Sequence, residues 1–204
     1  MDKVQINSWA DLFDPKLKGR VALPNITTTQ GPPLLFMVDK ALGGTTPDFG
    51  KAIDKLGASK KDITTFYNSS ATLPQLFQQD EIWASVIGRF SWPNFTKLNM
   101  PIAWATPKEG QTGGMNVLVL TKGSKNRDLA LKFMDYWLSA EVQTKLAMDK
   151  IDSPANSKVT VPADVAAAIT YGPETAASLK FIPPASVLAQ RDQWLKDWNA
   201  KVAQ

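Results

Sequence analysis

Short apolar runs that end in polar or glycine-rich loops recur along this chain, and stretches of helical period lie between them. The runs are Arg20-Val21-Ala22-Leu23-Pro24, Ile63 to Tyr67, Trp83 to Ile87, Ile102 to Ala105 and Val117 to Leu120. Strands alternating with helices predict an α/β fold, because each strand must be covered by the helix that follows it. This alternation limits the chain more than any single motif does. With 204 residues there is enough length for one large or two small domains.

The local signals refine the pattern. Ser8-Trp9-Ala10-Asp11 reads as a capping-box variant that opens a short helix closed before Pro15, and Gly19 turns the chain into the first run. After the polar loop Asn25 to Gln30, Pro32 and Pro33 suit a first helical turn, and Leu34 to Leu42 continue it until Gly43-Gly44. Thr46-Pro47 predicts a second helix to about Gly57, and a helix is expected near Leu73 after Asn68-Ser69-Ser70. Pro107 to Gly114 is rich in turn formers. Ala130, Phe133, Met134, Trp137 and Leu138 recur at helical spacing, which predicts a helix capped by Asn126 with one buried face. Ser139 opens another helix through about Met148. In the terminal helix Val187 to Val202, the residues Leu188, Arg191, Leu195, Trp198 and Val202 share a face, with Trp194 beside it. Ser153 to Pro162 and Tyr171 to Pro184 read as irregular connections.

Composition narrows the chemistry. The chain has no Cys and no His, which removes disulfides, thiolate nucleophiles, zinc-thiolate sites, a Ser-His-Asp triad and His-ligated metals. The net charge is +4, with basic and acidic residues interleaved and no basic stripe to track phosphates, so no nucleic-acid partner is expected. No apolar run approaches the roughly 18 residues that span a bilayer. The N-terminus lacks the apolar core of a secretory signal, which suggests a processed, cytosolic or recombinant species.

The order of segments resembles extracellular solute-binding proteins of ABC importers, the spermidine/putrescine-binding branch most of all. Ser8-Trp9-Ala10-Asp11-Leu12-Phe13-Asp14-Pro15-Lys16-Leu17-Lys18-Gly19-Arg20-Val21 is similar to that family's entry into its second lobe. The resemblance continues through Pro107-Lys108-Glu109-Gly110, Asn116-Val117-Leu118-Val119-Leu120 and the helices from Asn126 to Met148. It implies a two-lobed periplasmic-binding-protein fold of type II. Residues 1–7 would be a hinge strand and 8–113 the second lobe, a mixed sheet flanked by helices. Residues 114–204 would be a helical C-terminal part completing the other lobe. It also implies a C-terminal portion of a longer periplasmic protein, with a membrane permease as partner and no cofactor. Self-association or a complementing N-terminal chain would cover the apolar helix faces.

In open α/β sheets ligands sit at the C-terminal ends of the strands. Candidates there are Thr27, Thr28 and Thr29, which precede a helix N-terminus whose N-H groups favour an anion or carbonyl. Each Thr taken singly reads more readily as an ordinary N-cap. Ser69 and Ser70 carry the same ambiguity. Arg89 follows a strand where the family lines its cleft and can clamp a carboxylate, or else pair with Asp80 or Glu81 at the surface. Phe90 and Trp92 form a pocket wall or core. Met115, Asn116 and Ser153 complete the set.

At 114–116 the resemblance implies a Trp-x-Asp in polyamine binders, whereas this chain has Gly114-Met115-Asn116. Losing an indole and a carboxylate weakens the case for a polyamine and favours a neutral or zwitterionic ligand, such as a γ-amino acid or an opine. Ferric-ion binding is disfavoured because Tyr67, Tyr136 and Tyr171 lie far apart in sequence. The expected function is substrate capture for import without catalysis. The alternatives are an interaction or sensor module and a transferase on the same two-lobed fold.

Overall fold

The computed structural model describes residues 5–45 and 47–203. Its contacts divide the chain into two compact units, one of 1–112 with 179–204 and one of 113–178.

The first unit is built on a three-stranded parallel sheet. Ser8 opens it: the Ser8 Oγ accepts from the Ala10 N-H at 3.1 Å, and the Asp11 carboxylate accepts from the Ser8 N-H at 2.9 Å, closing the capping box over a 3-10 turn, Trp9–Phe13. Strand β1 (Val21–Pro24) follows, buried at every position as a central strand covered on both faces must be. Helix α1 (Gly31–Ala41) begins with Pro32 and Pro33 in its first turn, where their missing N-H groups cost nothing. Helix α2 (Gly50–Ser59) starts three residues later than Thr46-Pro47 suggests; Thr46 itself lies outside the described residues. Its N-terminal amides are met by a buried carboxylate from α1, for the Ala52 N-H donates to Asp39 Oδ1 at 3.2 Å. Burial pushes the Asp39 carboxyl up, with backbone N-H groups of residues 51 and 52 opposing that rise.

Strand β2 (Thr65–Tyr67), helix α3 (Leu73–Gln78), strand β3 (Ala84–Ser85) and helix α4 (Trp92–Thr96) complete the sheet and its flank. Both β2 and β3 pair with β1 in parallel, Ala22 opposite Thr65 and Ser85, giving the order β2-β1-β3. Parallel pairing requires the helical crossovers that lie between these strands. The sheet is parallel throughout, where a mixed sheet is expected from the sequence. The run 102–105 forms no strand, in correction of the expectation.

The second unit is helical: α5 (Arg127–Trp137), α6 (Ala140–Met148), α7 (Ala163–Ala168) and α8 (Pro173–Ser178). The last of these falls where the sequence reads as an irregular connection. Ser139 caps α6 through the Val142 N-H at 3.3 Å, as the sequence suggests. Two expectations are corrected here. The run 117–120 forms no strand, and Val119 is 80% exposed; an apolar run becomes a strand only when another chain segment takes up its backbone groups. Helix α5 buries none of its residues, Phe133 being 53% exposed, and the Asn126 side chain does not cap it. The unit's own core is the small cluster Ala147, Val159, Val165 and Ile169.

Helix α9 (Pro184–Lys201) belongs with the first unit. The expected grouping places it with 114–178, but its indoles pack on α2 and β2. Trp194 stacks on Phe49 with ring centres 4.6 Å apart and donates to the Pro47 carbonyl at 2.7 Å, and Trp198 meets Phe66 edge-on at 5.1 Å. The buried face is therefore Trp194, Trp198 and Val202, while Leu188 is 89% exposed. This rotates the expected face, because fit against two aromatic rings outweighs the aliphatic area of Leu188.

Candidate functional site

The C-terminal ends of β1, β2 and β3 lie at one edge of the sheet, as parallel pairing dictates, and the loops leaving them touch one another. The first loop, 25–30, closes on itself: Thr28 Oγ1 donates to the Asn25 carbonyl at 2.7 Å, and Thr27 Oγ1 donates to Asn25 Oδ1 at 3.0 Å. These threonines do not cap α1, whose N-cap is Gln30 with no side-chain bond. Thr27 Oγ1 also reaches Asn68 Oδ1 of the second loop at 3.5 Å. Thr29 is exposed. Ser69 accepts from the Ala71 N-H at 3.3 Å, a local cap. Ser70 Oγ lies 3.1 Å from the buried Ser91 Oγ and so joins the second loop to the third. Tyr67, at the end of β2, donates to the Val86 carbonyl at 2.5 Å beyond β3, and burial raises its phenol pKa well above the ordinary value. Gly88 closes the ring of contacts, since a β-carbon there would overlap Phe90 and press on the Gln30 amide.

Arg89 sits in this third loop, half-buried, and burial lowers the pKa of its guanidinium. Its Cζ lies 4.4 Å from the centre of the Trp104 ring. Elsewhere at the surface, Arg20 donates to the Asp80 carbonyl and lies 3.9 Å from the Asp80 carboxylate. Phe90 is exposed, whereas Trp92 is part-buried against the core around Phe95. Two cavities, of about 300 Å³ beside Leu12 and Lys55 and about 180 Å³ beside Tyr136 and Lys145, contain no residue of the three loops.

The remaining candidates lie in the second unit and form their own cluster. Asn116 Nδ2 donates to Asp152 Oδ2 at 2.7 Å, and the other carboxylate oxygen accepts from the Ser153 N-H at 2.8 Å. Ser153 Oγ accepts from the Thr170 N-H at 2.9 Å. Met115 is exposed. Sequence reasoning missed Asp152 and Trp104, the first because 36 residues separate it from Asn116. Among the described residues no group of three or more acidic side chains is placed to hold a metal ion, and no helix is long and apolar enough to cross a membrane.

A third feature ties the chain segments at either end of the 8–109 span. Ser8 Oγ donates to Glu109 Oε1 at 2.7 Å, the Trp9 N-H to Glu109 Oε2 at 3.2 Å, and the Lys108 N-H to the Asn7 carbonyl at 2.8 Å. Partial burial pushes the Glu109 carboxyl up, but the Ser8 hydroxyl and backbone N-H groups outweigh it and leave the group below its ordinary value.

Comparison with known proteins agrees with this architecture. The chain is 25% identical over 217 residues to the putrescine/cadaverine-binding protein of Pseudomonas aeruginosa, covering 98% of this chain and 57% of that one. It is 25% identical over 205 residues to the spermidine/putrescine-binding periplasmic protein of Escherichia coli, covering 98% and 55%. The chain therefore spans little more than half the length of these relatives. Among solved structures, an ABC transporter from Clostridium perfringens matches at 34% identity with a TM-score of 0.84, over 98% of this chain and 63% of that one. A periplasmic thiamin binding protein matches in fold, with a TM-score of 0.76 at 23% identity, over 99% and 61%. The model of the family "bacterial extracellular solute-binding protein" matches residues 1–173. With its parallel sheet and loops gathered at the strand ends, this chain belongs to the bacterial extracellular solute-binding protein family.

Proposed function

We propose that the chain is part of the substrate-capture component of an ABC importer in the periplasm, binding a small organic solute and performing no catalysis. The observation that carries this reading is the meeting of three polar loops at the C-terminal edge of a parallel sheet, with Arg89 held among them. Such an edge is where open α/β folds take ligands. The family membership and the names of the relatives support import; the permease is the implied partner.

The solute is an amino-acid-like compound carrying a carboxylate and an amine, such as a γ-amino acid or an opine. In the first unit Arg89 takes the carboxylate. Within the second unit, Asp152 is held by the Asn116 amide and the Ser153 N-H, an anionic cluster able by itself to take an amine. This revises the view that Asn116 leaves the position uncharged, because the carboxylate is supplied from 36 residues away. A polyamine keeps a place in the range of ligands through that same group. Lobes of this kind close by hinge motion, and the Glu109 tie to Ser8 and Trp9 lies where residues 8–113 would meet the hinge.

The exposed stripe of α5 and the run 117–120 support a second element of the reading, a complementing segment of the longer protein that pairs with 117–120 and covers α5.

The test is a thermal-shift and calorimetric screen of putrescine, spermidine, 4-aminobutanoate and an opine against the whole protein, since a ligand bound only by the folded state raises its melting point. Arg89→Ala should weaken the carboxylate-bearing ligand by about 2 to 5 kcal/mol, and Arg89→Lys should restore only part of that, since an ammonium lacks the planar fork. Unchanged affinity in Arg89→Ala refutes the clamp.

A further inference from the structure

Gln30 stands where the first and third of the strand-end loops meet. It ends the loop 25–30 and is the N-cap of α1, yet its side chain makes no capping bond. Part-buried, it has no side-chain hydrogen-bond partner among the described residues. Among those residues no side-chain nitrogen or oxygen sealed from solvent lacks a partner, so the Gln30 amide is within reach of solvent. The amide packs on the third loop: a β-carbon at Gly88 would lie 2.9 Å from Gln30 Nε2 and would overlap the Phe90 ring. Gly88 has a φ of −72°, which any residue adopts, so what the glycine supplies is room. The Gln30 amide and the 59% exposed Phe90 ring share the space that a side chain at 88 would fill.

A carboxamide carries two N-H donors and a carbonyl acceptor without a net charge. Most such groups in a folded protein find a partner, and one left open between two loops can give its bonds to a ligand. The surrounding residues decide which ligand group that is. Residues 25–30, 68–72 and 86–91 contain no Asp or Glu, so these loops offer no anion to an ammonium. A carboxylate needs only donors, and a hydrogen bond to a charged acceptor is stronger than one between neutral groups. The methylene beside such a carboxylate finds an apolar surface in the neighbouring Phe90 ring.

We propose that Gln30 is a ligand-binding residue that sets specificity, donating a carboxamide N-H to the carboxylate of the solute in the space that Gly88 keeps clear. The inference rests on the reading of the strand-end loops as the site of a carboxylate-bearing solute. It draws on no donor of Arg89 and stands or falls separately from the clamp.

Calorimetry on the whole protein tests this with 4-aminobutanoate and with 4-aminobutanamide, which replaces the carboxylate by an uncharged amide. The wild type should prefer 4-aminobutanoate. Gln30→Met removes the donor without removing a capping bond, so it should leave the melting point unchanged and weaken 4-aminobutanoate roughly tenfold. Gln30→Glu sets acceptor against acceptor; it should weaken 4-aminobutanoate further and tighten 4-aminobutanamide, whose N-H2 it accepts, inverting the preference. If one variant fails to fold, the other carries the test. Affinity for 4-aminobutanoate equal to the wild type's in the folded variants overturns the role of Gln30 and leaves the solute reading standing. Loss of both compounds by the same factor in Gln30→Glu shows a structural role and overturns it too. A wild type that binds neither compound, or prefers the amide, refutes the carboxylate-bearing solute and the proposal with it.

Discussion

The two units of this chain solve the same packing problem to different degrees. In the first, a four-residue central strand, two helices and the terminal helix enclose a core that includes Leu23, Leu34, Leu56, Trp194 and Trp198, and the loops above it bond to one another. In the second, the buried cluster is four residues, while α5 shows its aromatic side chains to solvent and 117–120 forms no strand. The hydrophobic effect acts equally on both, so the difference lies in what each segment finds to pack against. A helix stripe and an edge strand are half of an interface; the other half must come from elsewhere in sequence or from another chain.

This contrast is tested most severely by truncating one aromatic in each unit. Trp198→Ala, which removes a buried indole from against Phe66, should destabilise the first unit by about 3 to 5 kcal/mol. Phe133→Ala, on the exposed stripe of α5, should cost within about 0.5 kcal/mol. Because two units need not unfold together, residue-resolved hydrogen exchange is the suitable measurement. A Phe133→Ala effect as large as that of Trp198→Ala would show that α5 is already packed and end the contrast.

A smaller effect is expected on association. The chain alone should self-associate through the apolar face of the second unit, and Val119→Glu with Phe133→Glu should leave it monomeric in sedimentation. A wild-type chain that stays monomeric at high concentration would mean that exposure of this face has no consequence for assembly.

Within the second unit, Asn116→Asp would put a second carboxylate beside Asp152, whose oxygen now accepts from Asn116 at 2.7 Å. Like charges so close raise one apparent pKa of the pair, by about one unit or more, which carboxyl-carbon NMR reads directly. Putrescine binding to this variant should tighten relative to the wild type, because a cation relieves the repulsion. Two independent titrations near the ordinary value would show the pair is not held together.

The smallest effect concerns Glu109. Its pKa in the folded chain lies below its ordinary value of 4.5, so it contributes stability above pH 4.5, and that contribution is lost as pH falls through the depressed folded value. Glu109→Gln should therefore lower the melting point slightly near neutrality, where that contribution is removed, and flatten the acid limb, where the wild type loses it too. An unchanged acid limb would remove Glu109 from the tie between Ser8 and the 107–110 loop.

Which parts of this arrangement were readable beforehand follows from the range of the forces involved. The capping box at Ser8, the proline entry of α1, the start of α6 at Ser139 and the runs that became β1 and β2 are local, because each is decided within a turn or by intrinsic burial. Arg89 and its loop were legible from the strand-loop order. The partner of Arg89 was not, since Trp104 is one of seven tryptophans and nothing in the spacing marks it. Likewise Asn116 stood out by its position, but Asp152 reaches it only through the fold of 139–170.

By itself, the sequence determined the alternation of strand and helix, the exclusion of His and Cys chemistry, and which loops would leave the strand ends. Tertiary structure decided the rest, for one physical reason: an apolar face is neutral about its partner. On α9 both Leu188 and Trp194 are apolar, and contact with the rings of Phe49 and Phe66 goes with burial of Trp194 and Trp198 while Leu188 stays exposed. The runs 102–105 and 117–120 carry strand-like residues, yet a strand exists only when its backbone groups find a neighbour, and that neighbour is never written in the run itself.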